Sequence, residues 1–204
     1  MAASLSSRGV FAARGVGNNN GYIAFPQGGS YHTTTSSVKG ALKVVVPRFK
    51  TNCMINFDVN ISTYEESSSN IVTYRIYGYE YGSSGWHHPV SKVVSWGKGD
   101  KVNLKVRYGY DGTYACITIG EVDTTWSYPQ VSITNITHGY NDYDMTALGY
   151  GWSISFVTTL PSTIAGEKTN ANTNDINITG NAATATNAVS ATASYMPKGF
   201  NTNS

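Results

Sequence analysis

Between Ile55 and Ile61 the chain alternates without a break: Ile55, Phe57, Val59 and Ile61 are apolar, and Asn56, Asp58 and Asn60 between them are polar. Successive side chains of an extended strand point to opposite faces, so a period of two describes a strand with one face in a core and the other in water. Wound into a helix, the same residues would scatter their apolar groups around the axis. The pattern recurs along the chain. Leu42 to Val46 is a β-branched run closed by Pro47, and Ile71 to Tyr81 is rich in Tyr and Ile. Val102, Leu104, Val106 and Tyr108 alternate with Asn103, Lys105 and Arg107, which predicts a strand over that stretch. Tyr110-Asp111-Gly112-Thr113 carries the Asp-Gly pair of a two-residue hairpin turn leading into Tyr114 to Ile119. Val131 to Thr137 and Trp152 to Val157 bring the total to about eight to ten strands. Gly82-Ser83-Ser84-Gly85 and Gly97-Lys98-Gly99-Asp100 mark turns between them. No apolar stripe of helical period with caps interrupts this region, so the expected fold is all-β, an antiparallel β-sandwich or jelly roll.

Charge narrows the partners. Only 13% of the residues are charged and the formal net charge is +2, with no Lys/Arg block, so the phosphate-neutralising term that dominates nucleic-acid binding is missing. Solubility rests on hydroxyls and amides instead. No run approaches the ~18 apolar residues of a membrane span, and the first twenty residues hold Arg8 and Arg14 without an apolar signal core, which predicts a soluble protein made in a cytoplasm. Cys53 and Cys116 each sit inside a strand-like run, which favours two buried reduced thiols over a disulfide. Asn60, Asn135 and Asn177 head Asn-X-Ser/Thr sequons that matter only in a eukaryotic secretory route.

Composition divides the chain in three. Residues 1–28 are small and Gly/Asn-rich around a short apolar patch, Tyr22-Ile23-Ala24-Phe25, and predict an extended arm for docking or oligomerisation. Residues 29–160 hold the sandwich pattern. Residues 161–204 are Ala, Thr, Asn and Ser with almost no large apolar side chain, too little to offset ordering entropy in a lone chain. This low-complexity stalk is expected to pack against copies of itself.

Within the tail, Asn177-Ile-Thr-Gly-Asn181-Ala-Ala-Thr-Ala-Thr186-Asn-Ala-Val-Ser-Ala-Thr-Ala-Ser194 resembles a linker repeated in tail-fibre proteins of tailed bacteriophages, where it joins globular modules. Small residues let three chains approach a common axis, with Ile176, Ile178, Ala185 and Val189 as the expected oligomerisation contacts. The central block is similar to a β-sandwich module of such fibres, on Ser30 to Thr35, Gly40 to Val44, Tyr74 to Tyr79, Arg107 to Gly112 and Ile119 to Pro129. The resemblance implies a homotrimeric virion component, assembled in the bacterial host cytoplasm. It implies as partners other copies of itself, other virion structural proteins and host-surface polysaccharide, with no nucleic acid and no membrane insertion.

Catalytic chemistry finds little footing. No nucleophile elbow, phosphate loop, dinucleotide fingerprint or zinc-protease motif occurs, so no catalytic residue and no cofactor is expected. Glu65-Glu66, Glu121-Val122-Asp123 and Asp142-Tyr143-Asp144 supply carboxylate pairs of the kind a tail-spike depolymerase uses, but solvated loops account for them. His87-His88 lie adjacent, expected in a loop and poorly placed to share a metal, and Asn141 to Asp144 offers too few oxygen ligands for calcium. Fifteen tyrosines and four tryptophans say more, because their flat apolar rings with polar tips suit a core, a protein interface or sugar stacking. The candidate contact set for glycan or protein is Tyr81, Trp86, His87, Trp126 and Tyr128. A carbohydrate-binding module of a secreted enzyme is the alternative to the fibre reading, opposed by the missing signal and by the linker.

Overall fold

The computed structural model describes residues 4–6, 9–12, 21–47, 53–65, 68–81, 85–97, 101–140 and 148–161, all inside the unit Met1–Asn170. In chain order the strands are β1 (Ser4–Ser6), β2 (Gly9–Ala12), β3 (Gly21–Pro26), β4 (Ser30–His32), β5 (Val38–Lys39), β6 (Ala41–Val45) and β7 (Cys53–Glu65). They continue with β8 (Ser68–Tyr81), β9 (Gly85–Trp96), β10 (Val106–Tyr110), β11 (Ala115–Ile119), β12 (Thr125–Trp126), β13 (Gln130–Tyr140) and β14 (Ser153–Val157). All their pairings are antiparallel. One sheet of eight strands runs β1-β2-β3-β13-β7-β8-β9, with β4 sharing the β3 edge of β13. A four-stranded sheet runs β10-β11-β6-β14, and β5 pairs with β12 in a short two-stranded ribbon.

The two larger sheets share one core. Ile55, Phe57, Val59 and Ile61 of β7, Val72, Tyr74 and Ile76 of β8, and Val131, Ile133 and Ile136 of β13 cluster with Leu42 and Val44 of β6, Val106 and Tyr108 of β10, and Ile117 and Ile119 of β11. Two inner faces interdigitating in this way make the molecule a sandwich of unequal sheets, so the all-β antiparallel expectation holds. The alternation that opened the sequence reading is realised residue for residue in β7.

Where β13 pairs with β7, the register slips between Thr134 and Thr137, and Asn135 there takes a positive φ of 55°. This β-bulge shifts the inward set from Val131 and Ile133 to Ile136 and His138. It also aims Asn135 at the outer face, where its amide donates to Asp58 Oδ2 at 3.0 Å and accepts from the Tyr22 hydroxyl at 2.7 Å. Asp58 is an outward residue of β7, yet its side chain is only 4% exposed because Arg75 of β8 lies over it in a two-pronged ion pair at 2.7 and 2.8 Å. Burial pushes the Asp58 carboxyl up, but the Arg75 and Asn135 hydrogen bonds more than offset this and hold it below its usual range.

Four expectations change. First, the apolar patch of the expected arm is β3: Ile23 is fully buried and pairs with Ile136, so the module reaches back at least to residue 21 rather than starting at 29. Second, Val102 and Leu104 belong to no strand. Lys101–Asn103 forms a 3-10 turn, because the Tyr74 hydroxyl donates to the Lys101 carbonyl and accepts from the Leu104 N–H at 3.1 Å, tying the segment across β8. Third, the β10–β11 hairpin turns one residue later than predicted. Tyr110 faces Ala115 and the Asp111 N–H bonds the Tyr114 carbonyl at 3.1 Å, so Gly112 and Thr113 form the tip. The Asp111 carboxylate accepts from the Thr113 and Tyr114 N–H groups, a local bond that decides the register, and Gly112 supplies the positive φ. Fourth, His87 and His88 lie in strand β9, not in a loop; a register shift and a φ of 47° at His88 place a bulge there. The expected stalk contacts Ile176, Ile178, Ala185 and Val189 lie outside the described residues, as does nearly all of the 161–204 stretch. Among the described residues no helix is long and apolar enough to cross a membrane.

Both cysteines are free and buried, as expected: Cys53 on β7 and Cys116 on β11. Burial pushes the Cys116 thiol up to about 12, against the pull of the nearby Lys43 charge, so almost no thiolate forms near neutral pH. Iodoacetamide at pH 8 is therefore expected to leave Cys116 unmodified in the native protein and to alkylate it once denaturant unfolds the chain. Alkylation of Cys116 on mixing, seen by peptide mass spectrometry, would contradict the burial.

Candidate functional site

The expected contact set does not converge. Tyr81 and His87 belong to the β8–β9 hairpin, whose register brings Tyr79 opposite His87 and Tyr81 opposite Gly85. Tyr128 lies beside the start of β8, so at about 3.3 Å per residue the two groups stand roughly 30 Å apart along that strand. Two members of the set are core residues. Trp126 is fully buried between Phe156 at 5.4 Å and the Lys101 ammonium at 5.9 Å, and its indole N–H donates to the Gly40 carbonyl at 2.7 Å. Trp86 packs edge-on to Tyr108 at 5.3 Å and donates to the Gly109 carbonyl at 3.1 Å. A Cβ on Gly78 would stand 2.5 Å from the Trp86 ring, so the absence of a side chain there is what admits the indole. Trp152 likewise packs on Phe57 and donates to the Leu148 carbonyl. An indole carries one donor, and a main-chain carbonyl within reach satisfies it; this is how these large rings fill a core short of Leu and Phe. His87 is half-buried against Tyr79. The side chains of Tyr81 and Trp96 lie outside the described residues.

Acidic groups are engaged structurally. Glu121 accepts from Arg107 at 2.5 and 2.7 Å and lies 3.4 Å from Lys105, and these cations, working against burial, hold its carboxyl below the usual range. Asp111 pairs with Lys43 at 3.0 Å, and Glu80 is buried and accepts from the Tyr110 hydroxyl. Glu66, Asp142 and Asp144 lie outside the described residues, as does the side chain of Glu65. No group of three or more potential metal ligands occurs among the described residues.

One surface recess does gather chemistry, and it breaks the strand pattern to do so. Along β7 the odd-numbered residues from Cys53 to Ile61 face the core, and along β8 their partners Val72, Tyr74 and Ile76 do. At the hairpin end the pattern inverts. Thr63 and Asn70, directly opposite one another, are polar at inward positions, while Tyr64 and Ile71 are large apolar residues at outward ones. Tyr64 is 58% exposed and Ile71 51%. The chain between β12 and β13 crosses this end: the Tyr64 N–H donates to the Ser127 carbonyl at 3.0 Å, and the Tyr128 N–H to the Thr35 carbonyl at 3.1 Å. Tyr128 adopts a φ of 47°, a left-handed conformation that costs a tyrosine on the order of 1 kcal/mol or more. It is held there by those bonds, and its ring meets that of Tyr64 edge-on, centroids 5.9 Å apart at 76°.

The recess between them has a volume of about 240 Å³ and is also lined by Ser62 and by Gln130, which pair across β7 and β13. Asn70 and Thr63 are its most buried lining residues. Neither the Asn70 amide oxygen, nor its nitrogen, nor the Thr63 hydroxyl has a hydrogen-bond partner in the protein. These atoms are sealed from solvent at inward positions, and each unmet group of this kind costs about 1–3 kcal/mol. Of the expected contact set only Tyr128 belongs here. Tyr64, Asn70, Ile71 and Gln130 were missed, although the inverted parity of Thr63-Tyr64 and Asn70-Ile71 was visible once the strands were paired. No protein-family model, no curated protein and no solved structure matches the chain.

Proposed function

We propose that this chain is an attachment module of a virion fibre of a tailed bacteriophage: a β-sandwich carried on a low-complexity stalk, homotrimeric, and joining other virion proteins to a host-surface glycan. The observation that carries the attachment role is the hairpin-end recess, where the large side chains of Tyr64, Ile71 and Tyr128 are held exposed on the surface. Support comes also from what the surface lacks in charge. The carboxylates of Asp58, Asp111 and Glu121 are paired with cations of the same chain, and Tyr22, Tyr77, Tyr114 and Tyr150 are among the large exposed side chains. Rings with a polar tip give contact area at low entropic cost, which suits adhesion. The resemblance of Asn177 to Ser194 to fibre linkers supplies the stalk and the trimer.

Light scattering tests the assembly. The intact chain is expected at three times its 22.0 kDa mass, and a chain ending at Leu160 at one. A monomer in both removes the trimeric stalk, and a monomer that still adheres to polysaccharide favours a carbohydrate-binding module instead.

A further inference from the structure

The two sheets present unequal outer faces. On the small sheet the outward residues Val45, Cys116 and Thr118 are buried, and Lys43 and Arg107, each held by a carboxylate, flank Thr118 across the strands. On the large sheet the outward positions hold Tyr22 of β3, Met54 and Tyr64 of β7, and Ile71 and Tyr77 of β8, all exposed. They fall into two groups. Tyr22 and Tyr77 share one row across the sheet, with Met54 in the next row beside Tyr79 and His87. Tyr64 and Ile71 stand with Tyr128 at the β7–β8 hairpin end. From Ile71 to Tyr77 along β8 is roughly 20 Å at the rise of a strand.

The band between the groups is polar and holds an excess of positive charge. Asn60, Thr73 and Thr134 bond one another, so that row is satisfied within the protein. In the neighbouring row Asp58, Arg75 and Lys92 stand side by side on β7, β8 and β9. The Asp58 carboxylate is taken up by Arg75, and exposed Lys92 has no ion pair among the described residues. Two cations therefore stand beside one carboxylate. Like charges directly opposite destabilise a sheet, and an anion laid over Arg75 and Lys92 relieves the repulsion.

Backbone strain gathers on the same face. Among the described residues the positive-φ positions other than glycine are His88 in β9, Asn135 in β13 and Tyr128. Each such conformation costs on the order of 1–3 kcal/mol, and strain of this kind clusters where a ligand is held. Asn135 accepts from the Tyr22 hydroxyl, Tyr128 sets its ring against Tyr64, and His88 lies beside His87.

We propose that the outward face of the large sheet binds a segment of an acidic polysaccharide laid along β7 and β8, with sugar rings on the two tyrosine groups and a carboxylate over Arg75 and Lys92. This gives the ligand class of the attachment role above and rests on that reading for the source of the ligand. Charge selects the occupant. A second copy seated on this face would bring a further Arg75–Lys92 row to one already in excess, whereas an anionic chain balances it. Nucleic acid carries a phosphate on every nucleotide and needs many more cations than this face offers. A peptide recognised by a sheet takes main-chain hydrogen bonds from a strand edge, and a sheet face offers none. Sugar rings need platforms for their C–H faces, and the exposed phenols supply them at a spacing of several rings.

The test is a ligand-observed NMR titration of the intact chain with hyaluronan and alginate oligosaccharides. Cello- and malto-oligosaccharides of the same length serve as the neutral comparison, and oligoglutamate as the acidic peptide. At least one acidic sugar is expected to bind with a dissociation constant on the order of 1 mM. Lys92→Glu and Tyr77→Ala are each expected to weaken it by about tenfold, at exposed positions where folding is little affected. Lys105→Glu makes the same change of net charge beside the other sheet and is expected to leave binding unchanged. The proposal is overturned if no acidic sugar binds at about 20 mM, or if a neutral sugar or oligoglutamate binds as tightly. It is overturned equally if Lys92→Glu or Tyr77→Ala binds like the parent, or if Lys105→Glu is as weak as Lys92→Glu. Adhesion of the intact chain to bacterial surface polysaccharide, measured in parallel, separates the two ideas. Adhesion unchanged in both Lys92→Glu and Tyr77→Ala leaves the attachment role standing and removes this face from it. Binding of an acidic sugar by a chain that adheres to no surface upholds the face and removes the attachment role.

Discussion

Trp126→Ala is expected to lower the unfolding free energy by about 4 kcal/mol, moving the urea midpoint down by roughly 2 M. The indole is fully buried at the junction of the β5–β12 ribbon with the core, in contact with Phe156, and deletion leaves a cavity that the strand backbones around it cannot close. Its N–H also satisfies the Gly40 carbonyl, at a glycine whose φ of 137° and close approach to the Val157 backbone leave that turn no room to adjust. A loss of this size is a large part of the 5–15 kcal/mol that holds a typical domain. Trp126→Phe keeps most of the volume and removes only the donor, so about 1–2 kcal/mol is expected there. If both variants melt within 1 kcal/mol of the parent, Trp126 is not the core residue described. Two residues further on, Tyr128→Ala is expected to cost under about 1 kcal/mol, which separates a structural aromatic from a surface one.

Arg75→Met is expected to cost about 2–3 kcal/mol at pH 7, and more than Asp58→Asn. The asymmetry follows from exposure: the Arg75 side chain is 37% open to water and rehydrates when its partner is neutralised, whereas the Asp58 carboxylate, 4% exposed, is left with the Asn135 amide alone. The partial exposure of Arg75 is also why the figure sits below the 3–5 kcal/mol of a fully buried broken pair. Because the folded carboxyl of Asp58 is held below its ordinary 3.8, its stabilising contribution is complete above that value and is lost as the pH falls through the lower folded one. Without Arg75, burial pushes the same carboxyl up, so it takes its proton at a higher pH than in the parent, and the gap between parent and Arg75→Met should narrow as the pH is lowered in urea melts at stepped pH. Equal costs for the two substitutions, or a gap that widens in acid, would sink the account.

Much of the fold was legible because its signal is local. Strand parity in β7 and the β-branched run of β6 depend on neighbours in the chain, and the structure keeps both. Legibility failed where a distant residue decides. The alternation of Val102 and Leu104 gave way to a turn because the Tyr74 hydroxyl, about thirty residues away, captures its backbone. The break in β13 parity was present in Val131-Ser-Ile-Thr-Asn-Ile136, but its meaning required Asp58 and Arg75 beneath it. Trp86 and Trp126 were ambiguous for a similar reason: whether an amphipathic ring is inside or outside depends on which carbonyl its N–H can reach, here Gly109 and Gly40.

By itself, then, the sequence determined that the chain folds as antiparallel strands with one wet face and carries little charge, because periodicity and composition are properties of neighbouring residues; that Cys53 and Cys116 stay apart as free thiols was decided by the fold. Only the tertiary structure decided that β13 lies between β3 and β7, that β14 joins β6 across more than a hundred residues, and that Tyr128 meets Tyr64 beside the Thr63–Asn70 pair. Strand pairing is a long-range choice among edges that look alike locally, settled by how all the inner faces pack at once. The candidate site exists only where three separately coded segments are brought together by that packing.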